Sequence, residues 1–175
     1  SNADWPPLPL TIEAPAGIGS STTTQLRATC AVMVMRTLST SPRLSLPADL
    51  RAQILREAQI AGGRECCGLV EGNRDGDHFR ILGLHPAKNL AAAPDRFEID
   101  PRDHLAAHKG ARGKGRALIG CYHSHPNGKP EPSATDLAGA GEDNFLWLIA
   151  AEGGLSAFVY RDGSFFGADW VASSE

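Results

Sequence analysis

The stretch from His123 to Asp136, read His-Ser-His-Pro-Asn-Gly-Lys-Pro-Glu-Pro-Ser-Ala-Thr-Asp, gathers two imidazoles, a hydroxyl and a carboxylate within fourteen positions. Imidazole nitrogens and carboxylate oxygens are ordinary ligands of Zn²⁺. Three of them, with the fourth tetrahedral position left to water, mark a catalytic rather than a structural zinc. His123 and His125 are two apart, so at the end of a strand they point the same way and can offer ring nitrogens to one ion, while Ser124 points elsewhere. Asp136 would add the third ligand from the first turn of a helix. It also stands three residues after Ser133, where a Ser-x-x-Asp pair caps a helix, and one carboxylate can serve both ends. A His-x-His pair alone is a weak signal; Pro126, Ser133 and Asp136 at these spacings sharpen it into a metal site.

Such a site needs a strand ending at His123, a turn and a short helix, and the chain supplies each. Ala117 to His123 reads as a buried strand, Ser124 to Pro132 as a loop with three prolines and a glycine, and Ser133 as the N-cap of a short helix. Upstream, Leu50, Ile54 and Ala58 fall at i, i+4 and i+8 with Leu55 beside them, an amphipathic helix that begins at Pro47 and stops at Gly62-Gly63. Cys66 to Glu71 and Phe79 to Leu84 predict a hairpin joined at Asn73-Arg74-Asp75-Gly76. A polar loop to Asp95, a short extended piece from Arg96 to Ile99 and a helix from Pro101 through His104 to about Ala111 follow. Phe145 to Ala151 and Leu155 to Arg161 read as apolar strands, with Ser164 to Val171 a weaker last one. There is no internal repeat. The order predicts an α+β layer structure with a mixed sheet.

These residues also carry a family resemblance. His-Ser-His-Pro at 123–126 with Ser133 and Asp136 resembles the JAMM motif of MPN+ (JAB domain) zinc metalloproteases. Arg64-Glu65-Cys66-Cys67-Gly68-Leu69 is similar to that family's glutamate strand, with the cysteine doubled. The resemblance spans roughly Leu46 to Val171. It implies a cytidine-deaminase-like, three-layer α/β/α fold with a mixed curved sheet. It implies one Zn²⁺ on His123, His125 and Asp136, Glu65 as general base and Ser133 as a helper that steadies the oxyanion. From the residues alone Glu65 stands no higher than Glu57, Glu71 or Glu98. Asn89, ahead of Arg96-Phe97-Glu98-Ile99-Asp100-Pro101, resembles a segment of the compact prokaryotic members and is expected on the substrate rim; its plainer reading is a loop asparagine capping a turn. Only eight residues separate Asp136 from the strand at Phe145, too few for the polyubiquitin-gripping insertion of some eukaryotic members. The resemblance therefore implies an (iso)peptidase acting after the Gly-Gly end of a ubiquitin-like or sulfur-carrier protein, the tail threading a groove as an extended strand.

Two other readings share the fold. His123 to Asp136 also fits the string of proteins similar to the RadC family, which implies a DNA-linked role, and the metal-free MPN branch consists of interaction scaffolds. Against the first stand the Glu-Cys-Cys-Gly-Leu strand and the lack of a basic region; against the second stands the intact ligand set. A nucleobase deaminase needs a Pro-Cys-x-x-Cys partner that adjacent Cys66-Cys67 cannot imitate.

At 175 residues, 42% apolar, with a formal net charge of −3, the chain suits one catalytic domain and has no basic field for nucleic acid or anionic membrane. Residues 46–175 are assigned to that domain. Residues 1–45, rich in Pro, Gly, Ser and Thr, read as a flexible leader or tail with an expression scar at 1–3, Met33 or Met35 being candidate starts. The run from Cys30 to Met35 is far shorter than the ~20 residues of a membrane helix, and the four cysteines suggest no disulfide framework, so a cytoplasmic location is expected. The oligomeric state is open, a homodimer being one expectation. Cys30 is read as an idle thiol, with a zinc-blocking leader as the sharper alternative. Cys67, Cys121, Trp147, Phe158 and Trp170 are expected in the core, and His78, His85, His104 and His108 at the surface.

Overall fold

A computed structural model describes residues 41–126 and 128–172. Within them run β1 (Arg43–Ser45), α1 (Ala48–Ala61), β2 (Cys67–Asp75), β3 (His78–Ala87), α2 (Pro101–Gly113), β4 (Ala117–Ser124), α3 (Ala134–Gly139), β5 (Phe145–Ala151), β6 (Gly154–Arg161), β7 (Ser164–Gly167) and β8 (Asp169–Trp170). The strands form one mixed sheet in the order β7-β6-β5-β4-β2-β3-β1-β8, with β4 parallel to β5, β1 parallel to both of its neighbours, and the remaining pairs antiparallel.

The predicted last strand is broken in two. β7 pairs with β6, Ala168 donates its N–H to the Ala157 carbonyl, and β8 crosses to β1. One segment thus joins the two edges of the sheet, which curls until it nearly closes, and no straight strand could follow both partners. β1 lies inside the segment read as a tail: Leu44 is fully buried, and the Asp169 and Val171 N–H groups bond to Pro42 and Leu44 carbonyls. Residues 1–40 of the predicted tail, Cys30 included, lie outside the described residues.

Period-two alternation builds two cores on opposite sheet faces. Val70, Tyr122, Leu146 and Leu148 face α1, which contributes Ile54, Leu50, Leu55 and Ala58. Their neighbours Leu69, Cys121 and Trp147 face α2, which contributes Ala107. Fully burying each large apolar side chain is worth roughly 1.5–3 kcal/mol. The predicted layer order, helices on both faces of a curved mixed sheet, is what the chain adopts. Gly68 permits a close crossing, since a Cβ there would run into the Tyr122 ring. Tyr122 in turn donates its hydroxyl to Glu57 on α1 at 2.6 Å, tying the strand that carries the histidines to the helix behind it.

Of the residues expected in the core, Cys67, Cys121 and Trp147 are buried and Phe158 is partly so. Trp170 is 41% exposed: β8 is an edge strand, and the ring lies under the Arg51 guanidinium, 5.1 Å away. His104 and His108 are exposed as expected, whereas His85 is half-buried because it bonds Glu71. The Glu71 side chain is only 1% exposed and takes three partners: Arg116 at 2.6 Å, His85 at 2.7 Å and Lys114 at 3.1 Å. It pins the connection between α2 and β4 to the β2–β3 hairpin.

Burial alone would raise the Glu71 carboxyl, but hydrogen bonds from Arg116, His85 and Lys114 outweigh it and hold the group at about 2 against an ordinary 4.5. The folded pKa is depressed, so the stabilisation is present above about 4.5 and is lost as pH falls towards 2. It amounts to about 3 kcal/mol. Urea unfolding should find Glu71→Gln less stable than the parent by roughly this much at neutral pH. The gap should shrink between pH 4.5 and 2; a gap independent of pH would contradict the assignment.

Candidate metal centre

His123 is the penultimate residue of β4 and wholly buried on the α2 side of the sheet. Phe97 stacks on its ring at 4.5 Å and Trp147 meets it edge-on at 5.8 Å. His125 lies one residue past the strand, and its N–H to Ala150 O at 2.8 Å extends the β4–β5 pairing to that point. Its Nδ1 is hydrogen-bonded to the Lys129 carbonyl at 2.9 Å, which fixes the tautomer and turns the Nε2 lone pair inward. The two Nε2 atoms are 3.0 Å apart.

Asp136 is buried in the first turn of α3. The predicted capping box is present: the Ser133 hydroxyl accepts from Asp136 N–H at 3.1 Å, and Asp136 Oδ2 accepts from Ser133 N–H at 2.7 Å. The carboxylate also faces both histidines, Oδ1 at 3.2 Å from His123 Nε2 and Oδ2 at 3.3 Å from His125 Nε2. Burial would raise this carboxyl, yet hydrogen bonds from the two imidazoles and Ser133 N–H hold it well below the usual range. His123 is pushed down by burial against the pull of Asp136, and His125 is raised chiefly by its bond to Asp136.

Three ligand atoms within 4.8 Å of one another fit one cation. A tetrahedral zinc with arms of ~2.0–2.1 Å separates its ligands by roughly 3.3 Å, and the observed 3.0, 3.2 and 3.3 Å lie close to that. Opposed imidazole lone pairs at this separation are otherwise left to share whatever protons they hold.

Glu65 stands just before β2, 5% exposed, with Oε1 3.9 Å from His125 Nε2. Among the described residues its Oε2 has no hydrogen-bond partner. Burial, partly opposed by His125, lifts this carboxyl to about 7, where it can both accept and release a proton at neutral pH. Glu65, His125, Ser133 and Thr135 line one cleft of about 320 Å³. A larger one of about 630 Å³ opens beside Asp136 and Thr135, walled by Phe97 and Ile99 and floored by Leu69, Cys121 and Trp147.

The fold therefore brings together His123, His125, Asp136, Ser133 and Glu65. Asn89, expected on the substrate rim, is half-buried with both ends of its carboxamide bonded to backbone groups. Sequence reasoning missed Phe97, Trp147 and the Lys129 carbonyl as supports of the histidines. An aromatic near a histidine in space leaves no mark in spacing, and a carbonyl leaves none in residue type.

Known proteins are similar to this chain in sequence and fold. The chain is 38% identical over 120 residues to a desampylase of Haloferax volcanii, across 66% of this chain and 85% of that protein. It is 33% identical over 90 residues to a desampylase of Pyrococcus furiosus, spanning 61% of that protein's length. It is 32% identical over 116 residues to a probable TtuB-protein conjugate cleaving protease of Thermus thermophilus, across 72% of that protein. A solution structure of a Desulfitobacterium hafniense protein superimposes with a TM-score of 0.68 at 29% identity, covering 75% of this chain and 94% of that one. The family described as prokaryotic homologs of the JAB domain matches residues 47–161, and this chain belongs to it.

Proposed function

We propose that this chain is a zinc-dependent isopeptidase that hydrolyses the bond after the Gly-Gly end of a ubiquitin-like or sulfur-carrier protein. The observation that carries the reading is the convergence of His123, His125 and Asp136 beside Glu65, a buried carboxyl with an unpartnered oxygen. The relatives named as desampylases and as a conjugate-cleaving protease support the substrate class. The finer likeness of the curved sheet to cytidine-deaminase-like folds belongs to the same reading.

His123, His125 and Asp136 would hold the metal, which when bound supplies a Lewis acid for the scissile carbonyl and activates water at neutral pH. Glu65 takes the proton of the attacking water on its free oxygen and later hands it to the leaving amine. Ser133 is suited to the oxyanion because its oxygen already accepts from Asp136 N–H, which leaves its own proton to donate.

The substrate tail has a backbone edge to meet. Residues 88–90 and 98–100 form a short antiparallel pair, through Leu90 N–H to Glu98 O at 2.8 Å and Asp100 N–H to Lys88 O at 3.1 Å. Alternation turns the N–H and C=O groups of Phe97 and Ile99 the other way, and none of these bonds to another described backbone group. An extended Gly-Gly tail could add to that edge beside the 630 Å³ cleft, with glycine allowing close backbone approach. No helix among the described residues is long and apolar enough to cross a membrane, and a cytoplasmic enzyme remains the proposal. Assembly of all three ligands favours an enzyme over a scaffold.

Zinc content and cleavage of a Gly-Gly-tailed carrier adduct, measured before and after chelation, test the reading. One zinc per chain and chelator-sensitive cleavage are expected; a zinc-free chain or chelator-resistant cleavage would overturn it. Glu65→Gln should keep its zinc and lose about 10²–10⁴ in turnover, whereas His123→Ala and Asp136→Ala should lose the metal; full activity in Glu65→Gln would sink the base assignment. Ser133→Ala should cut kcat by a factor of ~10²–10³ with zinc retained, and a parental kcat would remove Ser133 from the oxyanion.

A further inference from the structure

We propose that Asn89 is the positioning residue of this site, a carboxamide clamp that fixes the general base Glu65 and the aromatic Phe97 in one frame without touching the substrate. The inference rests on the proposed reading for Glu65 as base and adds the group that holds it.

A carboxamide offers two N–H donors and an oxygen with two lone pairs, and Asn89 uses all four. Nδ2 donates to Glu65 O at 3.0 Å and to Arg96 O at 3.1 Å. Oδ1 accepts from Ala91 N–H at 2.9 Å and from Glu98 N–H at 3.0 Å. Two of these partners bracket Phe97, whose ring stacks on His123, and a third is the carbonyl of Glu65 itself. One side chain therefore links the backbone of the base to the segment that covers a metal-facing imidazole.

The clasp is reinforced on both sides. Glu65 N–H bonds to Pro94 O at 3.1 Å, and the Arg64 guanidinium reaches Ala91 O at 2.5 Å and Ala92 O at 3.3 Å. These contacts matter because the Glu65 side chain is not anchored by itself: its Oε2 has no partner among the described residues, and Oε1 is 3.9 Å from His125. A base that must exchange protons cannot spend both oxygens on structural bonds. Its place is set through its main chain, and Asn89 and Pro94 are what hold that main chain. Aspartate would offer no donor to the two carbonyls, and glutamine would place its amide one methylene too far.

The test is a double-mutant cycle on the zinc-loaded full chain, with a Gly-Gly-tailed carrier adduct under single-turnover and steady-state conditions. Misplacing a catalytic group by about 1 Å can cost ~10²-fold, so Asn89→Ala and Asn89→Asp should lower kcat by about ten- to a hundredfold, with a smaller rise in KM because Arg96 and Glu98 flank the edge proposed for the tail. In the Glu65→Gln background the same changes should lower the residual rate by less than about twofold, because residues acting as a unit are not additive. Equal losses in both backgrounds, or a loss confined to KM, would overturn the proposal.

A readout independent of activity is amide hydrogen exchange. In Asn89→Ala the Ala91 and Glu98 amides should exchange faster while those of β4 keep their protection, and unchanged exchange at Ala91 and Glu98 would also overturn the clamp. Should Asn89→Ala fail to fold, Asn89→Ser, whose hydroxyl keeps one donor and one acceptor, carries the same cycle. A parent chain that does not cleave the adduct overturns the underlying reading, whereas a cleaving parent with additive variants overturns the clamp alone.

Discussion

Two imidazole nitrogens 3.0 Å apart with a buried carboxylate against both is the constraint on which the rest of this structure depends. Taking such groups out of water is expensive unless they are paired, so each must be held from outside. The sheet holds His123 between Phe97 and Trp147, the Lys129 carbonyl holds His125, and the capping box holds Asp136. β4 can present its histidines on the α2 face only because Tyr122, one position earlier, is locked into the opposite core by Glu57 and by the space above Gly68.

The carboxyls divide by environment rather than by residue type. Asp136 sits among donors that outweigh its burial and keep it ionised, as the proposed metal ligand must be. Glu65 is equally hidden but has an oxygen without a donor, and burial lifts it to about 7. Opposite shifts in neighbouring acids are the pattern that separates a fixed charge from a proton carrier. Glu71 shows that a depressed carboxyl need not be catalytic: its three partners stitch a hairpin to a helix connection, and none of the four lines either cleft beside the metal centre.

Much of this was legible in the residues because it is local. The His-x-His pair rests on strand alternation, Ser133-x-x-Asp136 on cap geometry, and α1 on a period of apolar side chains closed by Gly62-Gly63. β5, a wholly apolar run, forms over the predicted residues Phe145–Ala151. What escaped is long-range. Ser164 to Val171 looks like one strand until the curl of the sheet asks it to serve β6 and β1 in turn, and Leu44 gives no sign that a partner waits at the other end of the chain. Trp170 looked like core by residue type, but the edge strand that carries it has Arg51 as cover rather than a second layer. Glu65 stood out only by resemblance, since nothing in its spacing separates it from Glu57 or Glu98, and the four bonds of Asn89 join segments whose nearness is decided by the fold.

Zinc K-edge X-ray absorption on the zinc-loaded chain reads out whether His123, His125 and Asp136 hold the metal. A nitrogen and oxygen shell at ~2.0–2.1 Å with imidazole scattering from two histidines and no sulfur is expected. A sulfur shell at ~2.3 Å, or zinc without ordered imidazole ligands, would contradict that assignment.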